Sequence, residues 1–420
     1  MKNFSAVLMG MFFILTSAFY AYGDENKPAV LEFLINEALE QNPEIQAAHS
    51  SWKAAEFRIT EVSSLPDPMA SFSGLGDPIE TKLGPVDNKY SVSQMFPFPG
   101  KLNLKARSQG KAAGMLREKY EAVKREVIKN VKFLYYDVFW VDRAIQVTEE
   151  EKLILENLEK VARRKYESNL ASQQDVIKAQ VELSKLIERL FQLKQNRNSI
   201  QAMMNSVLNR PHGTLLGRAV SVEPADFKYE LSQLRDMAKE SRQELLASGL
   251  GIKKAEYEKS LARLGYFPDF TLGVDYTEIG SGSTAQIDDG KNAWMAMVSV
   301  NIPIWFNKLN AQLKEKKAML EAAKKDYEGE KNSVGYEVDD LYFKINTYKE
   351  IVSLYKTALV PQTEQAFEAA RTGYETGKVD FLNWLDSERM LLQTRLAYYK
   401  TIVDYEKSIA YLERVVGRDL

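Results

Sequence analysis

The chain contains no cysteine, which removes disulfides, thiolate metal ligands, cysteine nucleophiles and lipidation of an N-terminal cysteine together. Histidine is almost as scarce: His49 and His212 are too few for a histidine metal cluster within one chain. Neither sign of charge dominates, with 56 basic against 58 acidic residues, so nothing marks a nucleic-acid partner. Also missing are a nucleotide-binding glycine loop and a nucleophile with a base nearby, so no enzyme, cofactor or metal centre is expected. Past the N-terminus, no window approaches the ~20 apolar residues that a membrane helix needs.

The N-terminus itself reads as an export signal. Lys2 is followed by an apolar core from Ala6 to Phe19 and a small-x-small site, Ala21-Tyr22-Gly23, before Asp24. Residues 1–23 are therefore expected to be cleaved. A retained anchor is the alternative, because no charge stands between Lys2 and Asp24.

What is present comes twice. Pro66-Asp67 answers to Pro268-Asp269, Pro97 to Pro303, Lys101 to Lys308 and Tyr166-Glu167 to Tyr374-Glu375, roughly 200 residues apart. Two tandem repeats are expected, 24–220 and 221–420. Each begins with a helix, passes through a β-hairpin (about 68–97 and 268–304) and ends in a long helical hairpin (about 100–210 and 308–417). In the second hairpin Phe270, Leu272, Val274 and Tyr276 alternate with Thr271, Gly273, Asp275 and Thr277. Trp294, Ala296, Val298, Val300 and Ile302 share one face of the next segment. The first copy alternates more weakly from Met69 and again over Tyr90 to Gln94, with a polar loop from Asp77 to Asn88 between. Segments of this length suit tilted strands crossing a bilayer, with Tyr276 and Trp294 near an interfacial aromatic girdle. Hairpins of a soluble sandwich would alternate in the same way, but the chain offers no further sheet to pack against.

The helical runs carry coiled-coil seams. Leu116, Tyr120, Val123, Val127, Val131, Leu134, Val138, Val141 and Ile145 mark the first. Val334, Val338, Leu341, Ile345, Tyr348, Val352, Tyr355 and Leu359 mark the second, and Pro361 should bend that run or remove a hydrogen bond. Breaks fall at Asn169-Leu170-Ala171-Ser172 and Thr376-Gly377-Lys378. A seam one stripe wide needs neighbours on both flanks, and four strands leave edges that hydrocarbon does not tolerate. An oligomer is required. Three chains of four strands would close a barrel of about twelve.

These features together resemble the TolC-type outer-membrane efflux channels, the outer-membrane factors of tripartite pumps. The resemblance rests on Asn42-Pro43-Glu44-Ile45, on Ser93 to Lys101, on Val300 to Ile304, on Leu359 to Ala366, on Gly373 to Asp386 and on Leu412 to Gly417. It covers nearly the whole mature chain, and the Gln94 to Lys101 stretch looks most like the heavy-metal efflux branch. It implies a mainly helical homotrimer: a 12-stranded barrel in the outer membrane of a Gram-negative bacterium and a helical tunnel through the periplasm. Implied partners are outer-membrane lipid, a periplasmic adaptor and an inner-membrane pump of the RND type, with metal ions or small toxic compounds as cargo. The exit channel of a type I protein secretion system shares the architecture. A periplasmic coiled-coil scaffold without a pore is the competing class.

The same resemblance places a pore aperture at Asp386, Asn383 and Tyr374. Asn383 replaces a carboxylate that the family pattern carries one turn before Asp386. On the residues alone, Asp386 equally fits a solvated helix face and Tyr374 coiled-coil packing. The adaptor-docking tip would comprise Asn169, Ala171, Ser172, Gly377 and Lys378, with Gly377 capping its helix. Pro97 and Pro303 would end strands at a barrel–tunnel junction.

Overall fold

The structure is a computed structural model and describes residues 28–282 and 287–420. The expected export signal, residues 1–23, and Ser283 in the second strand-connecting loop lie outside the described residues. In chain order the elements are α1 (Leu31–Gln41), α2 (Pro43–Ser63), β1 (Met69–Gly74), β2 (Glu80–Thr81), β3 (Gly84–Phe96), α3 (Lys101–Glu167) and α4 (Gln173–Val207). They continue with α5 (Leu231–Ser241), α6 (Gln243–Leu264), β4 (Phe270–Ile279), β5 (Ala293–Val300), α7 (Phe306–Leu354), α8 (Val360–Glu375) and α9 (Phe381–Val416).

The break between α1 and α2 follows from two residues. The Asn42 side-chain oxygen Oδ1 accepts from the amides of Glu44 and Ile45 at 2.9 and 3.3 Å, and Pro43 stands where its missing N–H costs nothing. Asn42 Nδ2 then donates to the Val207 carbonyl at 2.8 Å, tying this break to the end of α4.

Helix α3 runs unbroken for 67 residues, on the order of 100 Å. Its seam residues Val127, Val131, Leu134, Val138 and Val141 are buried, as are Val334, Val338, Leu341, Ile345 and Val352 of α7. The core is accordingly a set of stripes rather than a globule. One stripe joins α1, α3, α4 and α9, a second runs along the lower ends of α3, α4, α8 and α9, and a third joins α5, α7 and α9. Between α7 and α8 the chain widens into a single π turn, Tyr355–Leu359. Pro361 explains it: proline cannot donate to the ladder and its ring crowds the carbonyl four residues back, so one wider turn absorbs the misfit without ending the helix.

The four long strands pair antiparallel in the order β1-β3-β4-β5, and within the sheet β3 against β4 joins the earlier strands to the later ones. The loop expected from Asp77 to Asn88 is partly strand. Gly84, at φ 122°, lets the chain reverse so that Glu80–Thr81 pairs with Gly84–Pro85, and β3 starts there. A fifth strand of two residues therefore joins the expected four.

Candidate functional site

The ribbon has two chemically distinct faces, fixed by register. Tyr90 lies opposite Tyr276, Val92 opposite Val274, Gln94 opposite Leu272 and Phe96 opposite Phe270. Across the next pairing, Trp294 lies opposite Tyr276, Ala296 opposite Val274, Val298 opposite Leu272 and Val300 opposite Phe270. Gln94 apart, this face is apolar and exposed along its length. The opposite face is more polar, carrying Ser91, Ser93, Thr271, Gly273, Asp275 and Thr277 among the methionines Met69, Met95, Met295 and Met297, with Lys89 Nζ paired to Asp275 Oδ2 at 2.7 Å. A slip of one residue would exchange the faces, so pairing and amphipathicity enforce each other. Phe72, Tyr90, Tyr276 and Trp294 form one aromatic row across all four strands. Phe96 and Phe270 form another about 20 Å away along the strands. Both outer strands, β1 and β5, have an unpaired edge among the described residues.

The strand-to-helix crossover is clasped by one carboxylate. Asp269 Oδ1, at the entrance to β4, accepts from the Phe98 amide at 2.6 Å and from Lys101 Nζ at 2.7 Å. Burial alone would raise the Asp269 carboxyl, but Lys101 and the Phe98 amide outweigh it and hold the group below its ordinary 3.8. Pro97 directly follows β3, and Gly100 adopts the left-handed conformation, φ 95°, that starts α3. Pro303 occupies the matching stretch between β5 and α7, where Asn301 and Asp269 exchange hydrogen bonds.

At the other end of the molecule both helical hairpins turn with one geometry. Asn169 (φ 57°) and Gly377 (φ 76°) take the left-handed region. In each turn the following amide reaches back five residues, Leu170 to the Lys165 carbonyl and Lys378 to the Gly373 carbonyl, both at 2.7 Å. Ser172 and Asp380 cap the returning helices, accepting from the amides of Asp175 at 3.3 Å and Asn383 at 2.8 Å. Ala171 is half-buried and Lys378 is exposed.

The structure separates the three expected aperture residues. Tyr374 is buried, its ring 5.0 Å from Trp384 and 5.8 Å from Phe381, and burial pushes its phenol up to about 12. Asn383 and Asp386 are exposed on α9. Asp386 Oδ1 accepts from Arg389 Nη1 at 3.2 Å, while Arg389 Nη2 reaches Glu182 of α4 at 2.5 Å. Lys165 on α3 lies 4.3 Å above the Tyr374 ring and donates to the Tyr374 carbonyl, which fastens one hairpin tip to the other.

Two glutamates stand where the coiled-coil seam calls for apolar residues. Glu151 continues the buried stripe Ala144, Val147, Leu155, Leu158, and Glu388 continues Phe381, Leu385, Leu392. Their relative exposures are 0% and 2%, they lie on helices α3 and α9, which pack against each other, and each carboxyl perturbs the other. Burial, the largest cause, pushes Glu151 up to about 7 despite Arg395, and pushes Glu388 up to about 8 with help from the Glu151 charge. Sequence reading passed over Lys165, Arg389, Glu151 and Glu388. A charged residue at a seam position is the signal that identifies the last two.

Comparison with known proteins gives a consistent set. The family described as "Outer membrane efflux protein" matches residues 34–210 and 234–418. The cobalt-zinc-cadmium resistance protein CzcC of Cupriavidus metallidurans is 25% identical over 171 residues, a match spanning 39% of this chain and 39% of that relative. The cation efflux system protein CusC of Escherichia coli O157:H7 is 22% identical over 88% of this chain and 81% of its own. Among solved structures, the outer membrane protein VceC of Vibrio cholerae superposes with a TM-score of 0.78 at 16% identity, covering 93% of this chain and 96% of that one.

Proposed function

The chain belongs to the outer membrane efflux protein family, and from that premise we propose how this outer-membrane channel is assembled and what it carries. Three copies close one conduit: β1 of one protomer pairs with β5 of the next, giving a barrel of about twelve strands. The observation that carries this reading is the two-faced ribbon with both edges open. An apolar face flanked by aromatic rows is stable only against lipid, and open edges are not stable there, so the edges must meet. The polar face, with Lys89 and Asp275, then lines a wet lumen. The two halves, 24–220 and 221–420, are tandem repeats that supply two strands and one long helical hairpin each. Pro97 and Pro303 end the strands so that the helices continue as a tunnel across the periplasm.

The turns at Asn169, Ala171, Ser172, Gly377 and Lys378 dock a periplasmic adaptor, which couples the channel to an inner-membrane pump of the RND type. Asp386 and Asn383 line the aperture, with Tyr374 packing the wall behind them. The cargo is metal cations, the reading that the named functions of the cobalt-zinc-cadmium and cation efflux relatives favour.

Detergent-solubilised protein should run as a trimer and form pores in planar bilayers. Asp386→Asn should lower the cation-to-anion permeability ratio, and a deletion strain should lose resistance to zinc, cobalt or copper before it loses resistance to antibiotics. A stable monomer without conductance would refute the assembly. An antibiotic-only phenotype would refute the cargo.

A further inference from the structure

We propose that Glu151 and Glu388 share one proton, and that this proton latches α9 onto α3 in the lower coil directly above the aperture. The geometry requires a donor that the protein does not supply. Glu151 Oε1, Glu151 Oε2 and Glu388 Oε1 are fully buried and find no hydrogen-bond donor among the described residues. Carboxylates are acceptors only, so two of them buried along one helix–helix seam satisfy nothing unless one carries a proton.

The surrounding charges do not replace it. Arg395 of α9 lies 3.6 Å from Glu151 Oε1, but it also serves Glu150 of α3 at 3.8 Å and Glu364 of α8 at 2.8 Å. Arg389 of α9 is taken by Glu182 of α4, which Lys185 also contacts at 2.8 Å, and by Asp386. Ionising both glutamates would therefore leave two negative charges in an apolar seam with a fraction of one cation, a costly arrangement.

The position makes the pair consequential. Glu388 is two residues beyond Asp386 on the same helix, and Glu151 belongs to the helix whose Lys165 fastens the two tips. With the proton in place the seam is continuous from Ala144 to Ala162. Without it, repulsion falls on the α3–α9 contact and the coil loosens beside the pore. Both carboxyls have raised folded-state values, so the latch contributes its full stability below the ordinary value of 4.5 and loses it as pH rises through about 7 to 8.

The test uses full-length protein purified from outer membranes, with Glu151→Gln, Glu388→Gln and the double variant. Glutamine keeps the shape and supplies a permanent donor. In infrared difference spectra at about pH 6, the wild type should show a protonated-carboxyl band that the double variant lacks and Glu151→Gln weakens. That subtraction removes Glu406 and Glu413, the other buried glutamates of α9: Tyr136 and the Ala225 amide satisfy the first, and Lys132 pairs with the second at 2.5 Å. The band should vanish between about pH 6 and about pH 9, and wild-type open time in planar bilayers should rise several-fold over that interval while the double variant stays within about twofold. No band at about pH 6, or the same pH response in wild type and double variant, would overturn the proposal. If Glu388→Gln fails to assemble, Glu151→Gln against wild type makes the same comparison. The infrared arm needs no pore, so failure of the latch and failure of the conduit reading are separable.

Discussion

Removing the Asp269 carboxylate should unfasten the barrel from the tunnel while leaving both intact. This one side chain accepts the Phe98 amide at 2.6 Å and Lys101 Nζ at 2.7 Å, and the side chains of Asp269 and Lys101 are 20% and 13% exposed. A hydrogen bond to a charged group contributes about 1.5–3 kcal/mol, and partial exposure discounts the sum, so Asp269→Ala should cost about 2–4 kcal/mol. Asp269→Asn keeps an acceptor for the amide and loses only the ionic part, for about 1–2 kcal/mol. The assay is urea unfolding in detergent micelles, with β-strand signal and helix signal followed separately. The sign with pH is fixed by the depressed carboxyl: the contribution is present above 3.8 and disappears as acid protonates the group, so wild type and Asp269→Ala should converge at low pH. An Asp269→Ala protein within about 0.5 kcal/mol of wild type at neutral pH would refute the clasp. So would a deficit that persists unchanged in acid.

Other consequences follow from single contacts. Leu155 is wholly buried in the lower stripe, so Leu155→Ala should cost about 2–5 kcal/mol by thermal or urea unfolding; a near-neutral result would mean that the seam there is not packed. Lys165→Met keeps the side-chain length but removes the donor to the Tyr374 carbonyl and the cation above its ring, so basal pore openings should become more frequent without loss of trimer. Unchanged opening in bilayer recordings would show that the tip fastening lies elsewhere.

How much of this was legible beforehand depends on whether a residue acts through period or through a partner. The strands and seams are periodic signals: Phe270 to Tyr276 alternates, Val334 to Val352 steps by three and four, and both fall on the faces their period assigns. Asn42-Pro43 and Gly377 are local chemistry, readable because a cap or a left-handed turn needs only its immediate neighbours. The short strand β2 was not legible, because it depends on Gly84 reversing the chain inside a polar segment that has no period. Asp269, Lys165 and Arg389 were not legible either. Their partners, Lys101, Tyr374 and Glu182, lie 168 to 209 residues away, and no local pattern announces such a pairing.

The distinction also explains which polar residues stand out in the sequence and which stay hidden. Asp386 drew attention through its place beside the turn, yet its side chain is exposed and paired to Arg389. Glu388, two positions on, looked like any other charge on a helix rich in charge. Only its phase separates it: stepping from Phe381 through Leu385 to Leu392 leads across Glu388, and the same step through Val147 and Leu155 leads across Glu151. A seam charge on one helix would be a defect of several kcal/mol if it stayed ionised and alone. Two of them, on facing helices, at the same contact and short of cation, leave a proton as the species that makes the packing self-consistent. In this coil the seam that builds the wall is therefore also the place where pH can act on it.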